Sequence, residues 1–189
     1  QDSLSASSGA MVYLRSQDSL ILRGNPVVWY DVHQISGDSI FLKLLNKQLR
    51  NAYIEGRAFA LSLADSQYKQ RFNQLSGEKM KLVFAQKKIQ NISVERRATS
   101  LYYLFDDDTN SIHKKPNGVN KASGDAVQIS FTEKNIERIV VQGGVEGQYY
   151  PENIVEGKEA DFYLDGFMKK NSPMIQIGNI KSIGKRKEL

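Results

Sequence analysis

The sequence predicts an all-β chain in which antiparallel β-hairpins stack into an open two-sheet, jelly-roll-like trough. Three observations predict it. A unit opening on Ser-Gly recurs without a gap at Ser36–Ala58, Ser76–Ala98 and Ser123–Val145. Within each copy apolar and polar residues alternate at period 2, the spacing of a strand with one buried face. A polar turn then interrupts the alternation at the same place in every copy, and the chain returns with the same face apolar.

The elements follow in order. Ala10–Leu14 and Leu20–Gly24 read as a shortened hairpin, and Pro26–Tyr30 as the segment that follows a hairpin in the full units. In those units Ile40, Met80 and Val127 stand three residues after the glycine, Leu42, Leu82 and Ile129 five after, and Leu44, Phe84 and Phe131 seven after. The turns are Asn46-Lys47-Gln48, Gln86-Lys87-Lys88 and Glu133-Lys134-Asn135. On the return Ala52, Ile92 and Ile139 occupy position fifteen, Ile54, Val94 and Val141 seventeen, and Ala58, Ala98 and Val145 twenty-one. All are odd positions, so both strands of a hairpin turn one face inward. The third unit starts later than the spacing of the first two requires, and the extra residues fall within Asp106–Gly118, read as a loop. Ala64–Gln74 has too few apolar residues at helical spacing and reads as a loop and a strand end. Gly157–Leu164 restarts the pattern, Met174–Ile177 supplies a last strand, and residues 181–189 form a loose basic tail behind a single domain of residues 1–180. The total is roughly twelve to fourteen strands.

A lone hairpin cannot bury its apolar face, so the units must stack and face one another. The stripes predicted to line the interior are Ile40, Leu42, Leu44 and Ile54, then Met80, Leu82, Phe84, Ile92 and Val94, then Val127, Ile129, Phe131, Ile139 and Val141. Any part of such a lining left open needs a use in binding. Stacked sheets also end in edge strands that invite a second copy.

Composition excludes several function classes. With no cysteine among 189 residues there is no disulfide framework, thiolate metal site or cysteine nucleophile. A net charge of +5 favours anionic partners weakly, and much of it sits in Lys185-Arg186-Lys187. His33 and His113 are far apart in sequence, and Asp106-Asp107-Asp108-Thr109-Asn110 lacks the glycine and distal glutamate of a calcium loop. Gly143, Gly144 and Gly147 precede no helix and make no dinucleotide fingerprint. The pairs Tyr102-Tyr103 and Tyr149-Tyr150 read as one ring in, one out. No catalytic residue, metal, cofactor or nucleic-acid partner is expected, and the chain is not read as an enzyme.

Leu22-Arg23-Gly24-Asn25-Pro26-Val27-Val28-Trp29-Tyr30, the openings at Gly37 and Gly124, and Ile139-Val140-Val141-Gln142-Gly143-Gly144-Val145 carry a resemblance. Over about residues 10 to 165 the chain resembles the OstA-like (LptA) family of periplasmic lipopolysaccharide-transport proteins. The resemblance implies a β-jelly-roll whose apolar groove, lined by the stripes above, holds lipopolysaccharide acyl chains for transport to the outer membrane. It also implies head-to-tail self-association, other OstA-like or Lpt proteins as partners, and a periplasmic location reached with an export signal that Gln1–Gly9 does not supply. The second unit departs from the pattern, with Glu78 in place of Asp and Arg96 in place of the far glycine, which predicts a different corner there. The basic residues Arg50, Lys87, Lys88 and Arg138 read as solubilising turn residues, with lipid phosphates as the alternative role. Two other functional readings stand beside lipid transport: a structural or adhesive β-repeat module with a fully packed interior, and a binder of acidic polysaccharide.

Overall fold

A computed structural model of the chain describes residues 4–106, 114–132 and 135–172. Its first six strands are β1 Leu4–Ser7, β2 Ala10–Leu14, β3 Ser19–Arg23, β4 Val27–Tyr30, β5 His33–Ser36 and β6 Ser39–Leu45. The remaining six are β7 Gln48–Leu63, β8 Phe72–Ala85, β9 Lys88–Asp106, β10 Lys115–Thr132, β11 Asn135–Gln142 and β12 Glu146–Pro151. Together they make one antiparallel, 12-stranded sheet that does not close on itself.

The sheet is folded over. β7 to β10 are 14 to 19 residues long, and each bends midway, so that its halves belong to two layers. The first layer runs β2–β3–β6 and then through residues 48–55, 79–85, 88–95 and 126–132 to β11. The second runs β1–β4–β5 and then through residues 58–63, 72–76, 98–106 and 115–124 to β12. The predicted hairpins are therefore the first layer, and the stretches between them are the second.

The bend explains the repeat. At the corners two consecutive residues adopt left-handed backbone: Gly56 and Arg57, and Arg96 and Arg97, where the ladder slips, and Gly143 and Gly144, between β11 and β12. A bulge of this kind sharpens the local twist and turns the strand. The acidic residue after each opening glycine meets it: Asp38 N–H donates to Gly56 O, and Asp125 N–H to Gly143 O, each at 2.8 Å. A Cβ on Gly56 or Gly143 would collide with those same carboxylates, so glycine fits there. The expected difference in the second unit does not arise. Arg96 and Arg97, at φ 62° and 55°, repeat the left-handed pair, and the flanking strands hold them in it.

The loop read at Asp106–Gly118 is shorter than expected. Asp106 pairs with Lys115, and Phe105 with Pro116, because the long strands of the second layer extend to meet each other. Gly157–Leu164 forms no strand. The chain instead makes α1, Glu152–Val155, and a 3-10 turn, Glu159–Phe162, then runs extended across the outer face of the second layer. Its apolar residues Phe162, Tyr163 and Leu164 are contiguous rather than alternating, as a segment laid on a surface requires. This strap covers Phe59, Leu61, Phe72, Leu101, Tyr103 and Val119 with Val155 and Leu164. Polar side chains hold it in place along its length. Gln74 accepts from Leu164 N–H at 2.9 Å, Gln34 brackets Met168 O and Lys170 N–H at 2.6 and 2.7 Å, and Trp29 Nε1 donates to Lys170 O at 3.1 Å. Arg71, 3% exposed, clamps its start through Glu152 at 2.6 Å and Glu159 at 3.1 Å. His113, residues 107–110, the turn at 133–134, Met174–Ile177 and the basic tail lie outside the described residues.

Candidate functional site

The space between the layers is the candidate site. Every predicted lining residue lies on the inner face of the first layer, opposite its cross-strand partner in an unbroken series: Leu42, Ala52, Leu82, Ile92, Ile129 and Ile139 form one such row. Ile40, Leu42, Ile54, Met80, Leu82, Phe84, Ile92, Val94, Val127 and Ile129 are buried in a single cluster, and Leu44, Phe131 and Val141 pack against it. Ile139, on the edge strand β11, is 38% exposed, and Val145 is 56% exposed beyond it.

The interior is not uniformly filled. Beneath β3, β6 and the start of β7, the second layer contributes Val28, Tyr30 and Ile35, and Leu20, Leu22, Ile40 and Leu42 are at most 2% exposed. Toward β11 the second layer offers Ala60, Ser62, Asn73 and Ser100 along with Leu75 and Tyr102, and a cavity of about 530 Å³ opens there. Of the predicted residues it is lined by Leu82, Ile92, Ile129, Phe131 and Ile139; the others belong to the packed part or flank it. The volume is in the range of small-molecule sites, and its lining mixes the apolar residues of the first layer with polar ones such as Asn73, Ser100, Lys87 and Lys88.

Several lining residues are not legible in the strict alternation. Leu49, Ile89 and Ile136 all stand twelve positions after their glycine, an even place, yet each faces inward. A one-residue shift at Lys43/Leu44, Val83/Phe84 and Ser130/Phe131 pairs them with Leu44, Phe84 and Phe131 and reverses the parity. Their recurrence in all three units is the signal that marks them. The wall formed by the second layer, including Tyr30, Ala60, Leu75 and Ser100, carries no alternation to read.

The mouth of the trough has two lips. One carries Tyr30, Asp31, Val32, His33, Leu63, Ala64, Phe105 and Lys114; the other carries Lys87, Lys88, Ile89, Phe131 and Ile136. Of the four basic residues singled out in the sequence, the structure brings Lys87 and Lys88 to this mouth. Arg138 pairs with Ser130 on the outer face, and Arg50 is exposed away from the cavity. Burial pushes the His33 imidazole below its ordinary pKa, against a weaker opposing pull from Asp31. Burial likewise pushes the Tyr102 phenol up. Tyr102 and Tyr103 do split between faces, Tyr103 lying under the strap with Arg71 against its ring. Among the described residues no group of three or more His, Asp or Glu side chains is disposed to hold a metal ion.

The ends of the trough are open as well. At one end Met11 and Tyr13 of β2, cross-strand neighbours of Leu22 and Leu20, are 53% and 44% exposed. At the other, β11 offers Ile139. No protein-family model matches the chain, and no curated protein does. Among solved structures the chain is similar to the crystal structure of LptH, the LptA homologous periplasmic component of the conserved lipopolysaccharide transport device from Pseudomonas aeruginosa. The two share 11% sequence identity at a TM-score of 0.57, over 78% of this chain and 95% of that one. The fold is therefore LptA-like.

Proposed function

We propose that this protein holds the acyl chains of lipopolysaccharide, or of a related envelope lipid, between its two layers and passes them along the trough toward the outer membrane. The observation that carries the reading is the apolar cavity, open at the mouth and continuous with the open end at β11. An acyl chain in water costs about 0.8 kcal/mol per exposed methylene. Ile92, Ile129, Phe131, Ile136 and Ile139 offset that cost, and a transfer between two equivalent troughs is nearly neutral. The likeness to LptH supports a non-enzymatic bridge in the periplasm, with other Lpt proteins as partners. Exposed inner-face residues at both ends, Met11 and Tyr13 against Ile139, support head-to-tail association with a second copy or a partner of the same fold. The reading as a module with a fully packed interior accounts for the β3–β6 half alone.

Native mass spectrometry of the protein after gentle extraction from cells tests this. Co-purified lipid bearing saturated acyl chains is expected, together with saturable binding of an apolar fluorescent probe. A protein that carries no lipid and ignores the probe would leave the trough without cargo.

A further inference from the structure

We infer that Tyr30 ends the cargo compartment and so sets the length of apolar chain the trough accepts, an inference that rests on the lipid reading above. Tyr30 closes β4 of the second layer and turns inward with Val28. It is 6% exposed although it stands at the lip of the mouth. Its hydroxyl donates to Lys87 O, in the turn between β8 and β9, at 2.8 Å, a bond that crosses from one layer to the other. Its ring meets Phe84 of the first layer edge-to-face, with centroids 5.0 Å apart. The two rings thus span the gap between the walls.

The position of this bridge coincides with a change in the interior. On one side lie Leu20, Leu22, Ile40 and Leu42, closed against the second layer, none of them lining the cavity. On the other side the cavity begins, with Tyr30 itself in its wall. A chain entering from the β11 side therefore gains burial methylene by methylene until it reaches Tyr30 and Phe84, and gains nothing beyond them. A bulky aromatic pair makes a better stop than an aliphatic one, because it fills the gap without the rotamer freedom that lets a Leu or Met yield.

The experiment is displacement of a bound apolar fluorescent probe by saturated fatty acids of increasing length, from decanoate to stearate. With the native protein, affinity rises about fourfold per added methylene and then stops rising within the series. In Tyr30→Ala the break moves to longer chains, while Tyr30→Phe, which keeps the ring and removes the hydroxyl that bonds Lys87 O, leaves it in place. Should Tyr30→Ala fail to fold by circular dichroism, Phe84→Leu removes the other half of the stop and moves the break the same way. A break at unchanged length in a folded Tyr30→Ala or Phe84→Leu variant overturns the inference, as does a native series without a break. Failure of the native protein to bind any member of the series, or the probe, overturns the lipid reading as well.

Discussion

The two walls of the trough are made by the same long strands, β7 to β10, yet they are built to opposite rules. The first-layer wall presents Ile, Leu, Val, Met and Phe inward and mostly polar residues outward, Phe41 and Tyr53 being exceptions. The second-layer wall presents small residues, Ala58, Ala60, Ser62, Ala98, Ser100 and Ala122, inward among fewer large ones such as Leu75 and Tyr102, and holds Phe59, Leu61, Phe72 and Leu101 on the outer face under the strap. The open volume follows from that difference. Val28 fills the gap against β3 and β6, Tyr30 and Ile35 stand at the border of the cavity, and Ala60, Ser62 and Ser100 face its open part. A packed interior normally leaves few voids larger than a water molecule, so the small side chains of Ala60, Ser62 and Ser100 opposite Leu82, Ile92 and Ile129 help leave about 530 Å³ between the walls.

The comparison breaks most completely if the large wall is charged. Leu82→Asp or Ile129→Asp places a carboxylate where the residue is 1% or 5% exposed, without a partner. A loss of more than about 4 kcal/mol is expected, enough to prevent folding. Thermal unfolding followed by circular dichroism checks it, and native-like melting of either variant would remove that residue from the interior. Next in size is the outer face of the small wall. Arg71→Ala leaves Glu152 and Glu159 without their clamp and frees the start of the strap, at a cost of about 2–4 kcal/mol. Hydrogen exchange should then report Leu164, Met168 and Lys170 opening before β8 and β9. Uniform opening of strap and sheet would show that the strap is no separate cover.

These two walls also differ in how much of them was legible in the sequence. Period-2 alternation signals a strand only when one face is wet, and the first layer satisfies that: Phe41, Lys43, Lys81 and Gln128 face outward between buried neighbours. In the second layer both faces are covered, so Val27, Val28, Trp29 and Tyr30 are all buried, as are Ala58, Phe59, Ala60 and Leu61. Such runs have no period to read. The strap is illegible for a related reason, since Gly157-Lys158-Glu159 imitates the opening of a repeat while the residues after it do not alternate. Arg96 suggests a different corner because local preference disfavours left-handed arginine, and the flanking ladders override that preference. The amino-terminal strand β1 has no sequence signal of its own; it exists because β4 has a free edge.

A substitution on the small wall sharpens the comparison without unfolding the protein. Ala60 faces the cavity from β7, 8% exposed. Ala60→Leu extends into empty volume, so stability should hold or rise slightly, while affinity for an apolar probe should fall at least about tenfold, roughly 1.4 kcal/mol. Unchanged probe binding by a folded Ala60→Leu variant would place the probe outside the cavity. The same change at Ala52, which is fully buried in the packed half, should instead cost stability by overpacking.

The smallest expected effect concerns the mouth. His33 lies at the lip beside Asp31, and burial lowers its pKa from the usual value of 6.5. A base whose native pKa lies below its unfolded one binds fewer protons when folded than when unfolded over the interval between the two values. Stability therefore rises with pH across that interval and is fully present above the unfolded value. On acidification it declines from near pH 6.5 and levels off below the native pKa. His33→Gln keeps a polar side chain there and removes the titration, so the melting temperature of the variant should vary less than that of the native protein between pH 7 and pH 5. Parallel pH profiles for the two would mean that the imidazole reaches water freely, and that this lip of the trough is wetter than the wall beneath it.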